Sequence, residues 1–225
     1  MPLVLFLRHG QAKNNVERIL AGRTKGFPLT DLGVQQAEQI GDFLKSFIRA
    51  KIYCSPIERA EHTARIVADK VGLGCTVDER LTEIEMGSFS GMHYDTMFEK
   101  HGNVFLKFYQ GHQIVKENGI ETFASVKNRV LDMVSHCSKK HDNETILLVT
   151  HMDPIKSMIS TILQPKPELL YEMIIRNASL TILKNEQSNF SMVALNSMTP
   201  ERYSDEWWRI GRPGLEFESG VSQSG

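Results

Sequence analysis

An apolar run, Leu3 to Leu7, ends abruptly in Arg8, His9 and Gly10. A second, "ILLVT", ends in His151. Between them, "CSPIERA" places Arg59 just past a third apolar stretch. Two arginines and two histidines gathered at strand ends would suit a phosphoryl group. A guanidinium is a rigid fork of donors that matches phosphate oxygens. An imidazole of ordinary pKa, about 6.5, is mostly neutral near pH 7 and can attack phosphorus. Attack would give a covalent phosphohistidine and divide one difficult step into two. Taken singly, each residue has a plainer reading. Arg8-His9 would be a solvated strand end, Arg59 a helix surface charge, and His151 a satisfied strand-end histidine.

These side chains can meet only if the strands run parallel with their carboxyl ends at one mouth. Residues 2–7, 51–55 and 145–151 read as strands, and 173–183 and 190–195 as closing strands. Helices are expected over 31–48, with Thr30 as N-cap, and over 56–71, with Pro56 in the first turn. A third is expected over 154–163, with Asp153 as N-cap and Pro154 as the first helical residue. Such alternation argues for an α/β fold, a three-layer α/β/α sandwich with a mostly parallel central sheet. Ligands of such sheets sit beyond the carboxyl ends of the strands. Residues 94–140 read as a helical insertion over the active site. The chain reads as a single domain over 1–213, with a disordered polar tail over 214–225.

Composition narrows the partners. Of 225 residues, 41% are hydrophobic and 24% charged, the balance of an ordinary globular chain. Lysine and arginine number 26 against 27 acids, which gives no reason to expect nucleic acid or an anionic membrane. Three cysteines, Cys54, Cys75 and Cys137, without a CxxC pair do not suggest a disulfide framework. No apolar stretch approaches the roughly 20 residues of a membrane span, and the first is too short for a signal peptide. A cytoplasmic location is therefore expected, where the sequons at Asn143, Asn177 and Asn189 carry no meaning. "HCSKKH", 136–141, could suggest metal ligands, but its lysines favour a solvated helix end. Trp207-Trp208 reads as tail packing or an interface anchor. No GxxxxGK[ST] loop is present.

The motifs together resemble the histidine phosphatases, the phosphoglycerate mutase-like superfamily. The resemblance runs from Leu3 to about Leu195. It rests on "LFLRHGQAKNN", Gly22-Arg23 followed by "FPLTDLGVQQA", "SPIERAEHTA", "LTEIEMGSFSG" and "LLVTH", in that order. It implies that His9 is the nucleophile and that Arg8, Arg59 and His151 bind the phosphoryl oxygens. Asn15 would add a donor, and Gly22 and Met152 would line the substrate site. Glu83 would be the general acid and then the base that activates water, a task that calls for a raised pKa. By spacing alone Glu85 is an equal candidate, since residues two apart on an extended segment share a face. No metal and no cofactor are implied. The expected partner is a small phosphorylated molecule, and a monomer or homodimer is left open.

This sequence departs from the family pattern in places. Ala12 stands where threonine is common, Met152-Asp153 where small residues are common, and Ser90 where an acid is common. Asp153 beside a phosphate would be repulsive, so N-capping is its preferred reading. Tyr94 stands where mutases carry a lysine, and Arg129 is the one arginine between Glu83 and His151. Mutases carry an arginine pair there. A phosphatase is therefore expected rather than a 2,3-bisphosphoglycerate-dependent mutase or a non-catalytic phosphate-binding protein. Lys100, Lys107 or Lys116 could substitute for the missing cations. Tyr94, Met86, Phe89 and Met92 suggest a pocket that accepts bulky leaving groups.

Overall fold

The computed structural model describes residues 3–45, 50–141, 144–186 and 189–197. Trp207-Trp208 and the 214–225 tail lie outside them. The chain order is β1 (Leu3–Arg8), α1 (Lys13–Val16), α2 (Asp31–Leu44), β2 (Ala50–Cys54), α3 (Glu58–Val71) and β3 (Cys75–Val77). After two short 3₁₀ turns come α4 (Tyr94–His101), α5 (Val104–Tyr109), α6 (Gln113–Glu117) and α7 (Phe123–Lys140). The chain continues with β4 (Thr145–Thr150), α8 (Met152–Leu163), α9 (Pro167–Glu172), β5 (Leu180–Glu186) and β6 (Asn189–Ser197). None of the described helices is long and apolar enough to cross a membrane.

The strands form one sheet in the order β3-β2-β4-β1-β5-β6. Parallel pairs join β3 to β2, β2 to β4 and β4 to β1, while β5 runs against both β1 and β6. Side chains alternate faces along a strand. Val4 and Phe6 of β1, with Ile146 and Leu148 of β4, pack under α4–α9. Leu5 and Leu7, with Leu147 and Val149, pack under α2 and α3. Both faces being covered accounts for the uninterrupted apolar runs. The result is the expected α/β/α sandwich.

Register places the site. Arg8 of β1 lies opposite Thr150 of β4, and Cys54 of β2 opposite Val149. The ladder continues one residue further: His9 N donates to Thr150 O at 3.0 Å, and Ser55 N to Val149 O at 3.0 Å. His9, His151 and Ser55 thereby leave the sheet side by side. Gly10 lets this turn pass close to α2: a Cβ there would sit 2.3 Å from Gly33 O. Thr30 caps α2 as expected, accepting from Gly33 N at 3.1 Å.

Three elements differ from the sequence reading. The helix expected from Pro56 starts at Glu58, with Ile57 in the N-cap position, so Pro56 precedes it. The strand expected over 173–183 begins only at Leu180. Before it, Ala178 takes φ 53°, and its N–H donates to the carbonyls of Arg8 (3.0 Å) and His9 (3.1 Å). These bonds tie 175–179 to the end of β1 as a loop. The helix expected to start at Pro154 starts at Met152, with His151 in the N-cap position. Asp153 is thus inside the first turn and is not the N-cap.

Candidate active site

His9 is buried one residue past β1. Its Nδ1 lies 2.7 Å from Gly10 O. A carbonyl only accepts, so Nδ1 carries the proton and Nε2 keeps its lone pair. That lone pair accepts from Arg59 Nε at 3.2 Å. Burial, then the cations of Arg59 and Arg8, hold the imidazole pKa well below its ordinary value. The ring is therefore neutral near pH 7, as a nucleophile must be.

Arg59 stands in the first turn of α3, also buried, and donates through Nη2 to Gly22 O at 2.9 Å. Burial lowers its pKa to about 10, which leaves it charged at neutral pH. Thr63, one turn on, accepts from Gly10 N at 3.0 Å and donates to Arg59 O at 2.7 Å. It clamps α3 onto the His9 turn. Arg8 donates to Ile175 O, while its Nε is buried without a hydrogen-bond partner. His151 is fully buried, shares a 2.8 Å hydrogen bond between its Nε2 and Ser55 Oγ, and meets the His9 ring edge-on at 5.1 Å. Its Nδ1 is likewise buried and unpaired.

These groups adjoin a cavity of about 340 Å³. Arg8, His9, Asn15, Gly22, Arg59, Glu83 and Met152, all expected from the sequence, are in its wall. His151 is not, and reaches the site through its contact with His9. Asn15 Oδ1 accepts from Ala12 N (3.0 Å) and Asn177 Nδ2 (3.1 Å). Gly22 has φ 48°, and a Cβ there would meet Met86 Cγ at 2.9 Å, so glycine suits both the turn and the packing.

The structure separates the two acids. Glu83 lines the cavity, while Glu85 accepts from Gly87 N (3.1 Å) and Ser90 Oγ (3.3 Å) at the following turn. Burial, and then the negative charge of Asp153, push the Glu83 carboxyl up to about 7. Asp153 is itself buried in the cavity wall. It accepts from Tyr109 OH at 2.5 Å, and that hydroxyl accepts from Lys156 Nζ at 3.1 Å. Burial raises the Asp153 carboxyl as well, against the opposing pull of Lys156 and the Tyr109 hydroxyl, so both carboxyls of this pair bind a proton more readily than free acids do.

Other expectations are corrected. Tyr94 and Met86 line the cavity, but Phe89 and Met92 do not; Phe89 is buried against His101. Lys100, Lys107 and Lys116 are also absent from the wall, and Lys107 donates to His101 O at 3.0 Å. Asn14, Arg18, Phe105 and Asn177 are wall residues that the motifs did not reveal. Asn177 was visible only as part of a sequon, yet its Nδ2 donates to His9 O at 3.1 Å. Among the described residues, no cluster of three or more His, Cys, Asp or Glu is arranged to hold a metal ion.

A sandwich with a histidine and two arginines at the mouth of its parallel strands defines a class of phosphoryl-handling proteins. The chain belongs to the histidine phosphatase superfamily, branch 1, whose profile matches residues 4–198. A 2,3-bisphosphoglycerate-dependent phosphoglycerate mutase of Thermoplasma acidophilum is 32% identical over 203 residues, covering 88% of this chain and 95% of that one. Phosphoserine phosphatase 1 of Hydrogenobacter thermophilus is 28% identical over 199 residues, 87% of this chain and 92% of its own. The structure of a mutant phosphoserine phosphatase from Entamoeba histolytica in complex with phosphoserine superposes with a TM-score of 0.76 at 25% identity. That match covers 88% of this chain and 98% of the other.

Proposed function

We propose that this protein hydrolyses small phosphomonoesters through a phosphohistidine at His9. One observation carries the reading: a neutral His9 whose Nε2 lone pair faces Arg59 beside a cavity also walled by Arg8 and Glu83. In the first step a bond forms between Nε2 and phosphorus while the ester oxygen leaves. Glu83 gives that oxygen its proton. In the second, the Glu83 carboxylate takes a proton from water, which attacks the phosphohistidine and releases inorganic phosphate. Arg8 and Arg59 stabilise the charge that builds on the equatorial oxygens, the largest contribution in such sites. Unpaired buried polar groups are uncommon, and Arg8 Nε, on a residue of the cavity wall, fits a hydrogen bond to those oxygens, while His151 backs the His9 ring. Asn15 and Asn177 hold the His9 turn, Gly22 holds Arg59, and Met152 gives the wall an apolar patch.

The mutase relative makes isomerisation the second reading. Tyr94, rather than a lysine, walls the cavity, and none of the four lysines between Glu83 and Arg129 (Lys100, Lys107, Lys116 and Lys127) is in that wall. The expected result is steady phosphate release from a panel of monoesters, in the presence of EDTA, with little conversion of 3- to 2-phosphoglycerate. Efficient isomerisation stimulated by 2,3-bisphosphoglycerate would overturn the hydrolase reading.

The pH profile follows from the same groups. Glu83 must be protonated for the first step, so kcat/KM should fall as pH rises through about 7. The limb set by His9 should lie well below its ordinary value of 6.5. Asp153→Asn removes the negative charge that raises Glu83, so its alkaline limb should move to lower pH. Profiles on β-glycerol phosphate, native against variant, cancel the substrate's own ionisation. An unshifted limb would show that Asp153 does not act on Glu83.

A further inference from the structure

We propose that Arg18 is a specificity residue that binds a carboxylate on the substrate, so that the site prefers phosphomonoesters of small carboxylic acids. The inference rests on the reading of this cavity as a phosphomonoester site. Three arginines wall it: Arg8, Arg18 and Arg59. Arg8 and Arg59 flank the nucleophile. Arg59 donates to His9 and Gly22, and Arg8 reaches Ile175 O. Both are committed to the reacting end. Arg18 is different, being more than half exposed at the cavity wall and pairing with Asp95 rather than with any group around His9.

Its placement is built. Arg18 takes φ 55°, a conformation that costs a non-glycine residue of order 1–3 kcal/mol and that tends to be retained at functional sites. The surrounding chain holds it there. Ile19 N donates to Asn14 O at 3.0 Å, and Tyr94 N donates to Arg18 O at 2.8 Å. An isolated bridge joins Ile19 to His93. The guanidinium carbon lies 5.7 Å from the centre of the Tyr94 ring, which is itself stacked on Phe98 and Phe105 at 5.3 Å each. An arginine laid over an aromatic face keeps its outer N–H edge for a planar anion. Asp95 is a carboxylate already paired with that guanidinium, so the chain itself supplies an example of the group to be bound. A substrate carboxylate would share or replace that contact. The surface pair is worth little in water, so its exchange is inexpensive.

A matched pair of probes isolates the carboxylate. Phosphoserine and phosphoethanolamine share the phosphate, the ester oxygen and the ammonium, and differ by the carboxylate alone. Binding is measured by calorimetry in the His9→Ala protein, where turnover cannot interfere. Phosphoserine should bind roughly threefold more tightly than phosphoethanolamine, the scale of one exposed ion pair. Adding Arg18→Gln should remove most of that ratio, and Arg18→Lys should restore part of it. The preference should shrink in high salt, since Arg18 is exposed. In the otherwise native protein, Arg18→Gln should raise KM for phosphoserine far more than it lowers kcat. A ratio that Arg18→Gln leaves unchanged, or affinities for both probes falling in parallel, would overturn the assignment. The two readings fail separately. A native protein that releases no phosphate from any monoester defeats the hydrolase reading, while a binding ratio that still answers to Arg18 upholds the inference.

Discussion

Replacing His9 with alanine is expected to reduce phosphate release by on the order of 10⁴- to 10⁶-fold, the scale seen when a covalent nucleophile is removed from an otherwise intact site. The expectation rests on a neutral ring with its proton fixed on Nδ1 by Gly10 O and its Nε2 unprotonated and turned toward Arg59. After rapid quench of the native protein with labelled substrate, an acid-labile, base-stable label should be found on His9. Vanadate should inhibit, because it adopts the five-coordinate geometry of the transferring group. Alanine at position 9 leaves Arg8 and Arg59 in place, so the variant should still bind phosphate esters. Substantial turnover by it would sink the phosphohistidine mechanism.

Glu83→Gln should slow turnover by roughly 10²- to 10⁴-fold, the usual contribution of a general acid-base group. Glutamine keeps the shape but cannot give the leaving oxygen a proton. The loss should be largest for alkyl phosphates and much smaller for p-nitrophenyl phosphate, whose leaving group departs without help. The alkaline limb near pH 7 should vanish with the carboxyl that produces it. Glu85→Gln should change turnover only a few-fold, because Glu85 serves the Gly87 turn outside the cavity. A crippled Glu85→Gln beside a healthy Glu83→Gln would reverse the assignment.

The apolar runs at Leu3–Leu7 and 146–150, and the charged residues at their ends, are local facts of the chain. They dictate strands buried on both faces, and a sheet of such strands needs helices on each side. From that much, a parallel sandwich with Arg8, His9, Arg59 and His151 near one mouth could be read before any coordinates. Tertiary structure decided the rest, because each remaining choice depends on a partner distant in sequence. Glu83 and Glu85 are equivalent by spacing; only the folded cavity separates them. Asp153-Pro154 has the chemistry of a helix start, yet the helix begins earlier, and Asp153 turns inward to Tyr109 of α5. The run at 173–183 has the periodicity of a strand, but hydrogen bonds from Ala178 to the end of β1 bend its first half into a loop. That loop carries Asn177 to His9, and the α4 segment carries Tyr94 to Arg18. Periodicity reports what a residue's chain neighbours favour; the groups that tune a site are set by long-range contacts that no local pattern contains.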